Sequence, residues 1–225
     1  MLLTIPHIEA LPFITQNGPD INPVPADSFT STLLPGGILA VTNTSSKPMG
    51  GALVTCKTFL PPEFNTLALP YFGLDLDVCI SPDNLARLGR LEIDIKRWVA
   101  GSTGTPLANI ANCSSQLNRS TGEWQIDGNP PGWRNTGFLP MLSPCWTPLK
   151  FRYSMSATQF SVLSTAWDGC AFDVPTSMQN VTLETSKWGP GPGCVVQLQT
   201  EILEPGTLTV NFRNIRFTIS DGVVT

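Results

Sequence analysis

Short runs of alternating apolar and polar residues fill most of the chain beyond residue 50. Alternation with a period of two is typical of a β-strand that has one buried face and one polar face. We predict strands over 91–96, 123–127, 150–155, 160–167, 170–174, 195–200 and 208–219. Glycine- and proline-rich segments separate these runs. Many short strands divided by turn residues predict an all-β fold.

Three local features refine this prediction. Asp168-Gly169 lies between two predicted strands and is a dipeptide preferred in two-residue type I′ hairpins. In the last strand the apolar residues change parity after Phe212. A one-residue bulge near Arg213-Asn214 would place both sets on one buried face. Ser81–Leu88 is the one segment predicted to form a helical turn.

The first 50 residues differ from the rest of the chain. They are rich in proline and include Gly36-Gly37, so we predict an extended wrap with short edge strands rather than a separate domain. A chain of 225 residues is a normal size for one large all-β domain. Residues 1–225 are therefore predicted to form a single antiparallel β-sandwich, or jelly roll.

Charge is scarce, and this narrows the functions to consider. Only 13% of the residues are charged and the net charge is −4, whereas an average soluble domain has roughly 25% charged residues. An acidic chain without a basic run is not expected to bind nucleic acid. No apolar stretch approaches the roughly 20 residues that span a bilayer, so no membrane partner is expected. The one histidine, His7, is not expected to be catalytic.

Six cysteines are spread singly along the chain, at positions 56, 79, 113, 145, 170 and 194. An even number in an acidic chain is typical of disulfide-bonded secreted proteins, and six buried thiols are the alternative. N-glycosylation sequons begin at Asn43, Asn112, Asn118 and Asn180. The N-terminal residues do not resemble a signal peptide. We nevertheless expect a secreted or extracellular, disulfide-bonded glycoprotein.

Two passages resemble known proteins. Leu91–Ile95 is similar to the acidic catalytic strand of family 16 glycoside hydrolases. The run from Trp146 to Tyr153, followed by the strand–Asp-Gly–strand passage 162–174, resembles paired strands of concanavalin A-like lectins and glucanases. This resemblance implies a concanavalin A-like jelly roll. It implies that Glu92 is a nucleophile and Asp94 its helper.

The chain departs from the family 16 pattern at the position of the acid/base residue. There the family pattern has a second glutamate, whereas this chain has Lys96, or Arg97 if the strand bulges. A cation cannot replace a carboxylic acid without a pKa shift of several units. Hydrolysis would therefore require Glu123 or Asp127 to supply the acid from a neighbouring strand. A lyase that uses Lys96 or Tyr153 as base is a further alternative.

The same residues also fit a binding site. Strand periodicity places Glu92, Asp94, Lys96 and Trp98 on one face. Indole rings stack on sugar rings, while amides and carboxylates bind the hydroxyl groups. Further candidate ligand-binding residues lie at alternating polar positions and in Gly/Pro-rich loops: Gln125, Trp133, Gln197 and Gln199. Trp188, in another such loop, fits a structural role better, and ion pairs on a solvated strand are the simplest alternative for the charged residues.

We therefore predict a lectin-like protein that binds a polysaccharide or other glycan on a concave sheet. The alternative is a polysaccharide-cleaving enzyme with Glu92 at its centre and Asp94 and Glu123 as further catalytic candidates. A structural or host-interaction protein without a sugar site is the third hypothesis. No cofactor is expected. Members of the superfamily often hold a structural Ca²⁺, for which the oxygen ligands would come from Asp75, Asp77 and Asp168. The sequence carries no indication of an oligomeric state.

Overall fold

The structure is a computed structural model that describes residues 2–6, 13–16, 28–46, 48, 51–58, 71–98, 110–119, 121–127, 132–140, 144, 146–155, 159–172, 174, 181–182 and 194–223. Strands account for most of this part, together with one short helix. In chain order the elements are β1 (Leu2–Pro6), β2 (Phe13–Gln16), β3 (Ser28–Leu34), β4 (Ile38–Ser45), β5 (Gly51–Thr58), β6 (Tyr71–Cys79), α1 (Pro82–Arg87), β7 (Leu88–Trp98), β8 (Ile110–Asn118), β9 (Glu123–Asp127), β10 (Trp133–Asn135), β11 (Thr147–Met155), β12 (Gln159–Trp167), β13 (Cys170–Phe172), β14 (Val181–Thr182), β15 (Cys194–Ile202) and β16 (Gly206–Ser220).

The strands form two antiparallel sheets. Sheet 1 has nine strands, in the order β13-β12-β11-β6-β16-β4-β3, with β1 paired to β16 and β14 paired to β12. Sheet 2 has seven strands, in the order β10-β9-β8-β7-β15-β5-β2. Both sheets pair strands that are distant in sequence, such as β6 with β16 in sheet 1 and β7 with β15 in sheet 2, as in a jelly roll. The predicted all-β antiparallel sandwich is confirmed, and each strand predicted from the alternation overlaps an observed strand.

Apolar side chains from both sheets fill the space between them. Sheet 1 contributes residues such as Leu74, Phe151 and Phe212, and sheet 2 contributes residues such as Leu91 and Leu198, all buried. An aromatic cluster joins the sheets. The fully buried Trp124 of sheet 2 stacks on Phe151 at 5.6 Å and meets Trp167 edge-on at 5.2 Å. Trp124 and Trp167 are therefore both core residues.

The predicted turn, bulge and helix are confirmed. Asp168 and Gly169 have φ angles of 51° and 77°, both left-handed, between the paired residues Trp167 and Cys170. In β16 the register shifts between Arg213 and Arg216. This bulge keeps Ile215 on the buried face with Phe212. Helix α1 begins after Ser81, whose hydroxyl accepts a hydrogen bond from the backbone N–H of Asn84.

Two predictions about covalent modification require correction. Cys79 and Cys170 are thiols rather than half-cystines, so the prediction that all six cysteines pair is wrong for these two. The side chains of the other four lie outside the described part. The sequon residue Asn43 is only 1% exposed, and its amide donates to the carbonyl of Thr200 at 3.5 Å. Because a buried, bonded amide cannot accept a glycan, the folded protein is not glycosylated at Asn43.

Candidate functional site

One face of sheet 2 carries most of the predicted site residues. Along β7, Leu91 and Ile93 are buried in the core. The pairing of β7 with β8 runs from Arg90 to Trp98 without a register shift. Because successive strand residues point to opposite faces, Glu92, Asp94, Lys96 and Trp98 occupy positions on the outward face. The side chains of Asp94, Lys96 and Trp98 lie outside the described part.

A row of polar residues crosses five strands of sheet 2 at one register. In order across the sheet, each opposite the next, these residues are Gln199 of β15, Glu92 of β7, Gln116 of β8, Gln125 of β9 and Asn135 of β10. We call these five residues the polar row. All five lie on the outward face, since the neighbouring positions on their strands hold core residues such as Ile93 and Leu117. The row brings together three of the predicted site residues and adds two that sequence reasoning missed.

Hydrogen bonds link the members of the polar row on one side of Glu92. The amide of Gln116 donates to Oε1 of Gln125 at 2.6 Å. The amide of Gln125 in turn donates to Oδ1 of Asn135 at 2.7 Å. Gln116 is 1% exposed and Glu92 is 8% exposed, although both lie away from the core. Buried polar groups of this kind are held in place by their bonds, which gives the outward face a fixed pattern of donors and acceptors.

A second polar group lies directly beside the row. Glu201 of β15 is 5% exposed and pairs across the strands with Arg90 of β7. Its Oε1 accepts from Nη1 of Arg90 at 3.1 Å and from the amide of Gln199 at 3.2 Å. Burial raises the pKa of Glu201 above its ordinary value of 4.5, while Arg90 and Gln199 lower it by a smaller amount. Sequence reasoning missed Glu201, although it continues the alternation of Gln197 and Gln199.

A bulge sets the position of this second group. The pairing of β7 with β15 shifts after Glu201, and Gly89 is the extra residue on β7. A Cβ atom on Gly89 would lie 3.2 Å from the backbone nitrogen of Leu203 and 3.3 Å from the carbonyl oxygen of Glu201. Only glycine permits this close approach without moving the backbone. The glycine therefore helps to fix where Glu201 sits against Arg90.

Two polar atoms on this face are buried and have no hydrogen-bond partner among the residues that the structure describes. They are Nε of Arg90, which is a donor, and Oε1 of Gln116, which is an acceptor. Arg90 is two residues from Glu92 on β7, and Gln116 is opposite Glu92 on β8. A buried polar group without a partner costs about 1–3 kcal/mol. A water molecule or a hydroxyl group can donate to Gln116 and accept from Arg90, because it has both functions.

Trp133 borders the polar row. The sequence predicts a loop here, but Trp133–Asn135 forms β10, the short edge strand next to β9. The difference arises because three residues are enough to pair with β9 once the chain has turned back. Trp133 is half-buried and is two residues from Asn135, so both lie on the outward face. An aromatic ring is thus available at the end of the row.

The other candidate residues are placed as follows. Glu123 lies two strands from Glu92, and its Oε1 accepts from the backbone N–H of Gly137 at 2.6 Å. Gln197 lies opposite Asp94, and the side chains of both are outside the described part. His7 and Trp188 lie outside it altogether. The catalytic role predicted for Asp94 and Glu123, and the ligand-binding role predicted for Lys96, Trp98, Gln125, Trp133, Gln197 and Gln199, remain predictions.

Two of the three candidate calcium ligands, Asp75 and Asp77, are paired with arginine side chains. Asp75 accepts from Nη1 of Arg152 at 2.7 Å, and Asp77 accepts from Nε of Arg213 at 3.0 Å. Each of these two carboxylates is therefore already in an ion pair with an arginine guanidinium. Within the described ranges no three histidine, cysteine or acidic side chains come together.

No protein family model matches the sequence, and no curated protein is similar to it in sequence. Solved structures do match its fold. Arcelin-5, a lectin-like defense protein from Phaseolus vulgaris, aligns over 97% of this chain and 98% of its own, with a TM-score of 0.52 and 11% identity. Basic winged bean lectin with Tn-antigen aligns over 100% of both chains, with a TM-score of 0.50 and 11% identity.

These likenesses define the class of fold. The chain has a β-sandwich fold like that of these two structures, so the predicted concanavalin A-like jelly roll is confirmed as a fold. A structural likeness at 11% sequence identity shows a shared fold, but it does not show a shared function. The described part contains no helix long and apolar enough to cross a membrane.

Proposed function

We propose that the protein binds a polysaccharide on the outward face of sheet 2. The polar row supports this proposal, because it aligns amide and carboxylate groups at one register across five neighbouring strands, with its more exposed members, Gln199 and Asn135, at the two ends. A strand spacing of about 4.8 Å gives such a row a length of roughly 19 Å. That length suits several sugar units of an extended chain better than a single small molecule.

The chemistry of the face fits a sugar chain. Sugar hydroxyl groups both donate and accept hydrogen bonds, so they suit the amide side chains at the two ends of the row, Gln199 and the exposed Asn135. The half-buried ring of Trp133 at the end of the row can stack on the apolar face of a sugar ring. Two proteins with this fold are a lectin-like defense protein and a lectin, which agrees with the proposal.

Charge indicates a neutral polysaccharide. Glu92 and Glu201 are buried carboxyl groups on this face, and Arg90 is already paired to Glu201. An acidic sugar chain would bring further carboxylates towards buried acidic groups, which like-charge repulsion opposes. A neutral chain meets no such repulsion. We therefore expect β-glucans and xyloglucan to bind more tightly than alginate.

An extracellular location forms part of the same proposal. So do disulfide bonds among Cys56, Cys113, Cys145 and Cys194, and glycans at sequons other than Asn43. Glycan attachment at Asn118 would require its amide to leave Gln125, to which it donates at 3.3 Å. Intact mass measured before and after reduction and enzymatic deglycosylation of secreted protein tests these modifications.

Affinity electrophoresis in gels containing barley β-glucan, laminarin, xyloglucan or alginate tests the binding proposal. Trp133→Ala should weaken binding at least about fivefold, the effect of losing one stacked aromatic ring. Trp146→Ala is the matched control, because Trp146 is also half-buried but packs against Arg213 of sheet 1 at 4.1 Å. A folded Trp133→Ala protein with wild-type affinity would remove Trp133 from the site.

A second variant tests the row itself. Glu92→Gln keeps the side-chain length and changes the charge, so it should alter affinity while leaving the fold intact. Glu92→Ala should lower affinity by a larger factor, because it removes the polar group from the middle of the row. If neither wild type nor variants are retarded by any of the four polysaccharides, the proposal fails. The protein would then fit a structural role.

A further inference from the structure

The chain stays beside β9 after the short strand β10 has ended. Strand β10 pairs with β9 over only three residues. Beyond it, the backbone N–H of Thr136 donates to the carbonyl of Trp124 at 3.1 Å, and the N–H of Trp124 donates to the carbonyl of Phe138 at 2.9 Å. We call residues 133–138 the edge segment. This segment carries the aromatic ring that borders the polar row.

Side chains hold the edge segment against β9. A three-residue strand at the edge of a sheet has few backbone hydrogen bonds of its own, so its position depends on further contacts. The amide of Gln125 donates to Oδ1 of Asn135 at 2.7 Å. The hydroxyl group of Thr136 donates to the carbonyl of Trp124 at 2.6 Å. These two bonds fix the middle of the segment.

Glu123 makes a third contact, at the point where the segment bends. Its Oε1 accepts from the backbone N–H of Gly137 at 2.6 Å. Gly137 lies in a bend and has a left-handed φ of 77°, which glycine adopts at little cost. A hydrogen bond from a backbone N–H to a carboxylate is about twice as strong as one between neutral groups. Glu123 therefore fixes the conformation of the chain directly after β10.

We infer that Glu123 is a positioning residue for polysaccharide binding, because its bond to Gly137 holds the edge segment and with it Trp133. This inference rests on the proposed binding function. A ring that is already held in its bound orientation loses less conformational entropy when the ligand arrives. The role requires a hydrogen-bond acceptor at position 123, not a proton donor or a nucleophile. It therefore differs from the catalytic role that the sequence suggests for Glu123.

Affinity electrophoresis in gels containing barley β-glucan, laminarin or xyloglucan tests the inference. Glu123→Ala removes the acceptor and should weaken binding at least about threefold. Glu123→Gln keeps the length and an oxygen that accepts the same bond, so its affinity should stay within about 1.5-fold of wild type. Glu204→Ala is the matched control, because Glu204 is exposed in the turn between β15 and β16, and it should leave the affinity unchanged.

The indole N–H of Trp133 gives a second readout that needs no ligand. Its NMR signal in nitrogen-15-labelled protein is identified by its loss in Trp133→Phe. The signal should shift or broaden in Glu123→Ala and should keep its wild-type position in Glu123→Gln. The indole signal of Trp146, which packs against Arg213 on sheet 1, should not change in either variant. This pattern distinguishes positioning of the edge segment from a general loss of stability, which would alter both signals.

The outcomes separate the positioning role from the binding proposal. Wild-type protein that is retarded while Glu123→Ala is retarded equally overturns the positioning role and leaves binding standing. If Glu123→Gln binds as weakly as Glu123→Ala, the charge of Glu123 is required and the inference is also wrong. Wild-type protein that no polysaccharide retards overturns both proposals. Glu123→Met, which keeps the length without a strong acceptor, replaces Glu123→Ala if that variant does not fold.

Discussion

The outward faces of the two sheets differ in how their polar and charged side chains are satisfied. On sheet 1 the charges are paired with each other: Asp75 with Arg152 at 2.7 Å and Asp77 with Arg213 at 3.0 Å. Arg213 also lies over the ring of Trp146 at 4.1 Å. These side chains pair with one another at the surface. Among the described residues, none of them contains a buried polar atom that lacks a hydrogen-bond partner. These four charged side chains therefore satisfy one another.

The outward face of sheet 2 is arranged differently. Its carboxyl groups Glu92 and Glu201 are almost fully buried. A donor on Arg90 and an acceptor on Gln116 have no partner within the described part of the chain. Both sheets show the same alternation of apolar and polar residues in sequence. The alternation of apolar and polar residues in the sequence therefore identifies only which face of a strand points outward. Whether that face merely meets solvent or is built to hold a ligand depends on how its polar groups are satisfied.

The largest effect on stability is expected for Gln116→Ala. This change removes a 2.6 Å bond to Gln125 from the middle of the polar row and leaves a cavity at a residue that is 1% exposed. The free energy of unfolding should fall by about 2–4 kcal/mol, measured by urea denaturation. A loss below about 0.5 kcal/mol would show that the row is no more organised than an ordinary solvated surface.

A smaller effect should appear in the pH dependence of stability. Because burial raises the pKa of Glu201 above 4.5, the folded protein binds this proton more tightly than the unfolded chain does. The contribution of Glu201 to the free energy of unfolding is therefore most favourable below about pH 4.5 and is lost as the pH rises through the folded-state pKa. Other carboxyl groups add their own slopes, so the measurement is the difference between wild type and Glu201→Gln.

Urea denaturation of both proteins at several pH values gives that difference. The stability of wild type relative to Glu201→Gln should decrease as the pH rises from about 4.5. A relative stability that increases with pH would mean that the ion pair with Arg90 outweighs the burial of Glu201. In that event the charged groups on the outward face of sheet 2 would be stabilised mainly by ion pairs, as they are on sheet 1.

The smallest effect is expected for Asp77→Asn on sheet 1. Its partner Arg213 is partly exposed, and exposed ion pairs contribute about 0–1 kcal/mol. The loss should shrink further at high salt, because counterions screen the wild-type pair. Affinity for polysaccharide should not change. Weaker binding by folded Asp77→Asn protein would place the ligand on sheet 1 and reverse the comparison between the two faces.

Local sequence patterns predicted much of the fold. The alternation in 91–96 and 123–127 identified strands β7 and β9, and Asp168-Gly169 identified a hairpin whose left-handed φ angles few residue pairs accept. The bulge in β16 followed from the change of parity after Phe212. These features depend on neighbours in the chain, which is why one sequence is enough to predict them.

The candidate site was predicted less completely. Glu92, Gln125 and Gln199 were identified from their alternation, but nothing in the sequence indicated that they share one register with Gln116 and Asn135. Glu201 was missed because its importance comes from burial and from Arg90, which is 111 positions away in the chain. Asn43 was misread as a glycosylation site because a sequon does not reveal whether its amide is buried.

By itself, the sequence determined which residues point to the core and which point away from it, because strand geometry alternates with a period of two. It also determined the turns and the bulge, which depend on a few adjacent residues. Only the tertiary structure decided which outward-facing residues meet, because antiparallel pairing of distant strands sets the register between them. That register places Glu201 beside Glu92 and aligns five polar side chains, while burial rather than residue type raises the pKa of Glu201.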